Sequence, residues 1–294
     1  VSEPVEERVV IVTGAGRGIG RAEALEFARQ GAKVVVNDLA GDDDPAGAVV
    51  DEIRSHGGVA VANHDDVSTW DGGRQLIGTA LSEFGRLDVL VNNAGILRDR
   101  MFVSMTEREW DEVIAVHLRG TFVTSRHAAG HWRELSKSGK AVDGRIINTS
   151  SSSGLYGNVG QSNYGAAKGA IASLTIVLAE ELARYGVTVN AIAPAALTRM
   201  TEALRERTDA EKAEMDPANI APLVAWLGSP ASRAVTGQIF NIKGSRISVA
   251  EGWVAGPEAD NGTRWTQERL DELMPGLVAK ARGRSDMDGH PIPR

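Results

Sequence analysis

Short apolar runs alternate with longer amphipathic stretches along most of the chain. Val9-Val10-Ile11-Val12 reads as a strand, and Gly18 to Gln30 as a helix with Ala22, Leu25 and Ala28 at helical spacing. Lys33 to Asn37 is β-branched, and Asp51 to His56 is polar and helical. Val59 to Ala62 and Leu87 to Val91 continue the strand series on either side of a Trp70 to Phe84 helix. Beyond them the pattern predicts one long helix from Glu107 to Glu134, a strand over Arg145 to Asn148 and a helix from Asn163 to Arg184. Strands near Val187 to Ile192 and Gln238 to Ile242 complete the series. Alternation of this kind means βαβ units, right-handed crossovers and a parallel sheet with helices on both faces. From Gly252 the pattern decays into a Gly/Pro-punctuated tail with one helical piece, Thr266 to Ala281, and a last stretch, Gly283 to Arg294, expected to wander over the surface.

Composition narrows the class further. The 294 residues hold no cysteine, which excludes disulfides, thiol catalysis and cysteine-ligated metals. Aromatics make up only 5% while glycine reaches 33 residues, a mix that suits buried parallel strands and close helix–strand packing. A net charge of −7 argues against nucleic acid or an anionic membrane as partner. No apolar run approaches the ~20 residues of a membrane span. Val1 to Arg8 is polar and acidic, unlike a secretory signal, and the Ile292-Pro293-Arg294 end is not a peroxisomal address, so a cytoplasmic protein is expected.

Directly after the first strand comes Thr13-Gly14-Ala15-Gly16-Arg17-Gly18-Ile19-Gly20, opening a helix. Glycines let backbone approach a pyrophosphate, and a helix N-terminus offers free N–H groups and a positive dipole end. A lone glycine run is equally an ordinary tight turn; its place between a strand and a helix favours dinucleotide binding. Asp38 closes the second strand, where an acidic side chain accepts hydrogen bonds from ribose hydroxyls and repels a 2′-phosphate. Arg17 beside the cradle pulls toward NADP, whereas Asp38 favours NAD.

Tyr164 and Lys168 stand four apart on one helix face, so an ammonium lies near a phenol. A nearby cation stabilises phenolate, which can then exchange a proton with an alcohol or carbonyl oxygen while hydride moves to or from nicotinamide. Ser151 lies thirteen residues before Tyr164, at the end of a predicted strand, where ligands sit in an open α/β sheet.

With these motifs, together with Asn92-Asn93-Ala94-Gly95 and Pro194 to Met200, the sequence resembles a short-chain dehydrogenase/reductase over Val9 to Trp253. The resemblance implies one doubly wound Rossmann-type domain over residues 1–253 with a seven-stranded parallel sheet, followed by a partly helical C-terminal extension, 254–294. It also implies nicotinamide-dependent chemistry on a secondary alcohol or ketone and a homodimer or homotetramer. Carried over residue by residue, Tyr164 is the acid/base, Lys168 lowers its pKa and holds the ribose, and Ser151 binds the reacting oxygen. Gly14, Arg17, Gly18, Ile19 and Gly20 would surround the pyrophosphate, Asp38 the ribose, and Asp66 and Val67 the adenine; Asn93, Ala94 and Gly95 would flank the cofactor near the middle strand, Pro194 would also bind it, and Thr198 would hold the carboxamide.

Two positions depart from the family pattern. His117-Leu118-Arg119-Gly120 stands where the family carries an Asn that holds a kinked helix and a water leading to the lysine, and Pro194-Ala195 replaces Pro-Gly. A histidine there would carry a pH-dependent charge and tautomer, or else be a satisfied core residue. His117, with Asn93 to Arg100 and Gly154 to Asn158, is similar to a branch of the family, the dehydrogenase domain of peroxisomal multifunctional enzymes. That likeness implies an NAD-linked (3R)-hydroxyacyl-CoA or steroid-like substrate. The alternatives are an NADPH-linked 3-oxoacyl-carrier-protein reductase and a non-catalytic NAD-binding regulator. Trp110, Trp132, Trp226 and Trp253 are expected in the core. The histidine spacings suggest no metal site. Arg98 and Arg100, beside apolar Met101, Phe102 and Met105, are candidates for a CoA phosphate.

Overall fold

The computed structural model describes residues 5–41, 43–197 and 208–292. Its sheet is built from β1 (Val9–Thr13), β2 (Lys33–Asn37), β3 (Val59–Asn63), β4 (Val89–Asn92), β5 (Gly144–Thr149), β6 (Val187–Ala195), β7 (Ile239–Lys243) and β8 (Arg246–Val249). The strand order is β3-β2-β1-β4-β5-β6-β7-β8. Chain order reverses beside β1, and the β1–β4 junction is therefore the switch point where such sheets bind ligands. β1 and β5 are buried along their whole length, as strands covered on both faces must be.

Helices α1 (Gly18–Arg29), α2 (Pro45–Ser55) and Ala221–Gly228 cover one face, where Val10, Val12, Phe27, Val49, Val91 and Val224 pack. Helices α3 (Trp70–Phe84), α5 (Gly120–Lys137) and α7 (Ser162–Ala183) cover the other, over Ile11, Leu76, Leu90, Trp132, Ile146 and Val189.

The structure corrects four expectations. The sheet has an eighth strand: β8 turns back antiparallel on β7, with Lys243 opposite Arg246. All four of its residues are exposed, so no burial pattern marked it. Helix α2 starts at Pro45 rather than Asp51 because Asp44 caps it, accepting from Gly47 N at 3.0 Å, with proline at its first position. The long helix is broken: α4 (Glu107–Ile114) passes through a π-helical turn, Ala115–Arg119, before α5 begins. Of the four tryptophans expected in the core, only Trp132 is buried, donating Nε1–H to Leu87 O at 2.8 Å. Trp110, Trp226 and Trp253 are exposed.

The tail is also more ordered than its composition suggested. Helix Gln267–Lys280 buries no residue, but the segment after it folds back as a small hairpin, with Ile292 N donating to Arg284 O at 2.8 Å. Among the described residues no helix is long and apolar enough to cross a membrane.

Candidate functional site

The glycine-rich turn leaves β1 at the switch point. Gly14 has φ +62°, and a Cβ on it would stand 2.7 Å from Ala94 Cα, so only glycine lets the turn press against the end of β4. Asn93 stitches the two together: its side chain donates to Thr13 O at 2.9 Å and Gly14 O at 3.1 Å. The backbone N–H groups of Asn93 and Ala94 both reach Thr13 Oγ1. Helix α1 then begins with no side chain capping it and no acidic residue in its first turn, which leaves its N–H groups open to an anion. Ile19 packs against the core behind the turn.

Asp38 faces this turn from the end of β2, one carboxylate oxygen accepting from Gly16 N and the other from Leu39 N, both at 2.9 Å. Arg17 is ion-paired with Asp43. Asp66 is exposed and caps its own turn, accepting from Ser68 N at 2.9 Å, while Val67 is buried. Pro194 pairs in β6 opposite Ile242. Thr198 lies outside the described residues. An uncapped helix N-terminus, a close-approach glycine turn and a half-buried carboxylate at the next strand end fit the pyrophosphate and adenosine ribose of a dinucleotide.

Ser151 caps the short helix α6 (Ser152–Tyr156), its hydroxyl accepting from Ser153 N at 3.2 Å. Tyr164 and Lys168 project from α7 toward it. The Tyr164 phenol is hydrogen-bonded to the Ser151 side chain, and Lys168 Nζ stands 5.6 Å from the phenol ring centroid. Lys168 is buried and donates to Thr149 O at 2.5 Å. Burial pushes the ammonium down to about 7. Burial also raises the phenol, with the Ser151 hydrogen bond working against it. The structure thus brings buried Ser151 and Lys168 together with half-buried Tyr164.

His117 joins them from the π-helical turn. Its ring meets Tyr164 edge-on, with centroids 5.1 Å apart. Nε2 lies 3.0 Å from Ile96 N and 2.8 Å from Ile96 O, and Nδ1 is buried with no partner. Burial, reinforced by Lys168, lowers the imidazole to about 3. His117 is therefore neutral at physiological pH, and the expected pH-dependent charge is not there. The imidazole also explains Gly95: a Cβ at that position would lie 2.3 Å from His117 Cε1.

Several supporting roles escaped the sequence reading, even where the residue itself stood in a motif. Asn92 and Asn148, opposite each other on β4 and β5, form a buried chain: Thr124 donates to Asn92, Asn92 to Asn148 at 2.9 Å, and Asn148 to Thr175 at 2.9 Å. Asn163, fully buried, donates to the carbonyls of Arg98 and Glu109 and accepts from Tyr164 N at 2.7 Å. It pins the start of α7 to the opposite wall. The signal available was polar amides at strand ends and before the tyrosine, where an ordinary core would carry apolar residues. Arg98 and Arg100, both half exposed, are ion-paired with Glu112 at 2.7 Å and Glu109 at 3.0 Å. Backbone Thr106 and then Arg100 hold the Glu109 carboxyl at about 2.

Comparison with known proteins agrees with this geometry. The short chain dehydrogenase family pattern matches residues 8–212. The hydroxyacyl-CoA dehydrogenase ChsB1 of Mycobacterium tuberculosis is 45% identical over 282 residues, spanning 91% of this chain and 87% of that protein. The peroxisomal multifunctional enzyme type 2 of Mus musculus is 46% identical over 254 residues, 84% of this chain but 32% of that protein. A crystal structure of a short chain dehydrogenase from Mycobacterium avium superposes with a TM-score of 0.90 at 57% identity, covering 96% of this chain and 98% of that one. A Rossmann-type sheet and a sequence match across both the cradle and the Ser/Tyr/Lys group make this chain a member of the short-chain dehydrogenase/reductase family, oxidoreductases that use NAD(P) to interconvert alcohols and ketones.

Proposed function

We propose that this enzyme oxidises the hydroxyl of a (3R)-hydroxyacyl-CoA thioester with NAD. The observation that carries the reading is the Ser151–Tyr164–Lys168 group at the end of β5, its lysine buried and its phenol half-buried, beside a cradle that ends in Asp38. Bound NAD supplies the hydride acceptor. Tyr164 Oη takes the proton of the substrate hydroxyl, and Ser151 Oγ hydrogen-bonds the same oxygen as it becomes a carbonyl. Burial keeps the phenol protonated in the resting protein, so oxidation gains as pH rises and the phenol releases its proton. Burial alone holds Lys168 at about 7, and a phenolate forming beside it would favour its charged form in turn, so the pair ionises together. Neutral His117 buttresses the phenol ring and cannot take its proton at neutral pH.

Gly14, Gly18, Ile19 and Gly20 would hold the pyrophosphate, Asn93, Ala94 and Gly95 would flank the cofactor near the middle strand, and Pro194 would also bind it. Asp66 and Val67 would flank adenine. The Asp38 carboxylate at Gly16 N and the engagement of Arg17 by Asp43 both favour NAD over NADP. The name of the Mycobacterium tuberculosis relative, a hydroxyacyl-CoA dehydrogenase, supports an acyl-CoA substrate. A steroid-like hydroxyl is the second substrate class for the same group. Exposed Phe122, Ile176 and Val177 on α5 and α7 support assembly into a homodimer or homotetramer through those helices.

Initial-rate NADH formation with (3R)- and (3S)-hydroxyacyl-CoAs, 17β-hydroxysteroids and simple secondary alcohols tests the reading. Turnover confined to the (3R)-thioesters is expected. Turnover of steroids alone overturns the acyl-CoA assignment, and preference for NADPH-linked ketone reduction would favour the carrier-protein reductase.

A further inference from the structure

We infer that the C-terminal hairpin, residues 284–292, belongs to the substrate site, where it fixes Tyr156 as a specificity-determining wall. The inference rests on the proposed function only in taking the substrate to lie at Ser151 and Tyr164.

Tyr156 is the last residue of α6, the five-residue helix that Ser151 caps. Its phenol oxygen accepts from Asn241 Nδ2 of β7 at 2.9 Å, so the ring spans from the catalytic loop after β5 to a strand two places across the sheet. β7 runs parallel to β6 and ends at Lys243, on the edge of the sheet where ligands sit.

The hairpin docks on this bridge. Asp286 organises its tip, one carboxylate oxygen accepting from the N–H groups of Asp288 and His290, each at 2.9 Å, while Gly289 N donates to Asp286 O at 3.0 Å. The tip presents Gly289, at φ +84°, against the phenol: a Cβ there would lie 3.0 Å from Tyr156 Oη and 3.2 Å from Cζ. Only glycine suits both the backbone conformation and the contact. Lys243, two residues past Asn241, is ion-paired with Asp288 at 3.4 Å and ties the tip to the same strand end. A tail without function would have no need of a shaped tip, a left-handed glycine and an ion pair converging on one side chain. On the far side of the Asn241 amide, Oδ1 is buried without a partner, an unmet acceptor that packing alone does not account for.

Tyr156 is thus the specificity-determining residue, and Gly289 acts through it as a positioning residue. The wall bounds the space beyond the reacting carbon, so disturbing it changes which acyl chains fit while the chemistry at Ser151, Tyr164 and Lys168 continues.

The test compares wild type, Gly289→Val, Tyr156→Ala and Tyr156→Phe in the full chain on (3R)-hydroxyacyl-CoAs of increasing chain length, with NAD affinity measured by quenching of intrinsic fluorescence. Gly289→Val and Tyr156→Ala are expected to shift the chain-length dependence of KM by about tenfold, the size of a pocket-filling difference, with kcat on the shortest substrate and NAD affinity within about threefold. Tyr156→Phe keeps the ring and should stay near wild type. Hydrogen exchange over residues 152–160 should rise in Gly289→Val. An unchanged KM profile in both disruptive variants overturns the inference while leaving the function intact. Absence of wild-type turnover on the whole series overturns the function and the wall with it.

Discussion

At the β1–β4 end of the sheet the cradle is held by paired polar atoms. Thr13, Asn93, Ala94, Gly16 and Asp38 satisfy one another through short backbone and side-chain hydrogen bonds. Two strands away, at the end of β5, the group that would do the chemistry is held under burial. Lys168 and Tyr164 are both displaced toward their neutral forms, and His117 Nδ1 and Thr149 Oγ1 are buried with no partner. The cradle recognises a ligand of fixed shape, so it can be rigid and complete before the ligand arrives. The chemical centre needs groups that change protonation, and low polarity makes each proton costly to misplace. One unit on the cradle side breaks the contrast. Glu23 on α1 is fully buried with both carboxylate oxygens unpaired, and desolvation raises it to about 8.

Each half of the contrast can be broken separately. The largest effect is expected from Lys168→Met, which removes the cation but keeps an apolar stem in a buried site. Its kcat should fall by about two to four orders of magnitude. Melting temperature should hold or rise, because a desolvated ammonium is no longer buried; calorimetry and initial rates check the pair. On the cradle side, Asp38→Asn keeps an acceptor for Gly16 N but removes the charge. The ratio of kcat/KM for NAD over NADP should fall by about a hundredfold, the scale of a relieved like-charge clash.

Smaller effects sharpen the picture. Because His117 stays neutral down to about pH 3, His117→Asn should leave any acid limb of the pH–rate profile above pH 5 unmoved and change kcat/KM by less than about tenfold. A limb near pH 6.5 present only in wild type would contradict the neutral imidazole. Glu23→Gln should act on stability alone. The folded carboxyl binds its proton more tightly than the unfolded one, so its contribution is full below pH 4.5 and is lost as pH rises through about 8. The variant's stability advantage over wild type should therefore grow between those values and level off above them, reaching about 5 kcal/mol in denaturant titrations.

What could be read from the sequence follows the same division. The cradle was legible because its parts are local: a strand, a glycine turn and a helix within Val9 to Arg29, and a carboxylate closing the next strand. Ser151, Tyr164 and Lys168 were legible from spacing and family resemblance. Their electrical state was not, because burial of Lys168 and His117 comes from strands and helices distant in sequence. The π-helical turn at His117 hid inside a continuous amphipathic pattern. The eighth strand is exposed on every residue, so it lacked the alternation that marks a half-buried strand. Glu23 sits among Ala22, Ala24 and Leu25 with nothing local to show that its side of the helix faces inward. Trp110 and Trp226 misled for the opposite reason: bulk suggested core, yet both remain exposed.

The most direct test of the account is Tyr164→Phe, measured as NAD-linked oxidation of a (3R)-hydroxyacyl-CoA with cofactor affinity determined in parallel. The phenyl ring keeps the packing against His117 and loses only the hydroxyl. The account predicts that kcat falls by about three orders of magnitude or more while NAD affinity stays within about threefold. A variant that turns over at the wild-type rate would contradict the assignment of Tyr164 as the proton-transferring group.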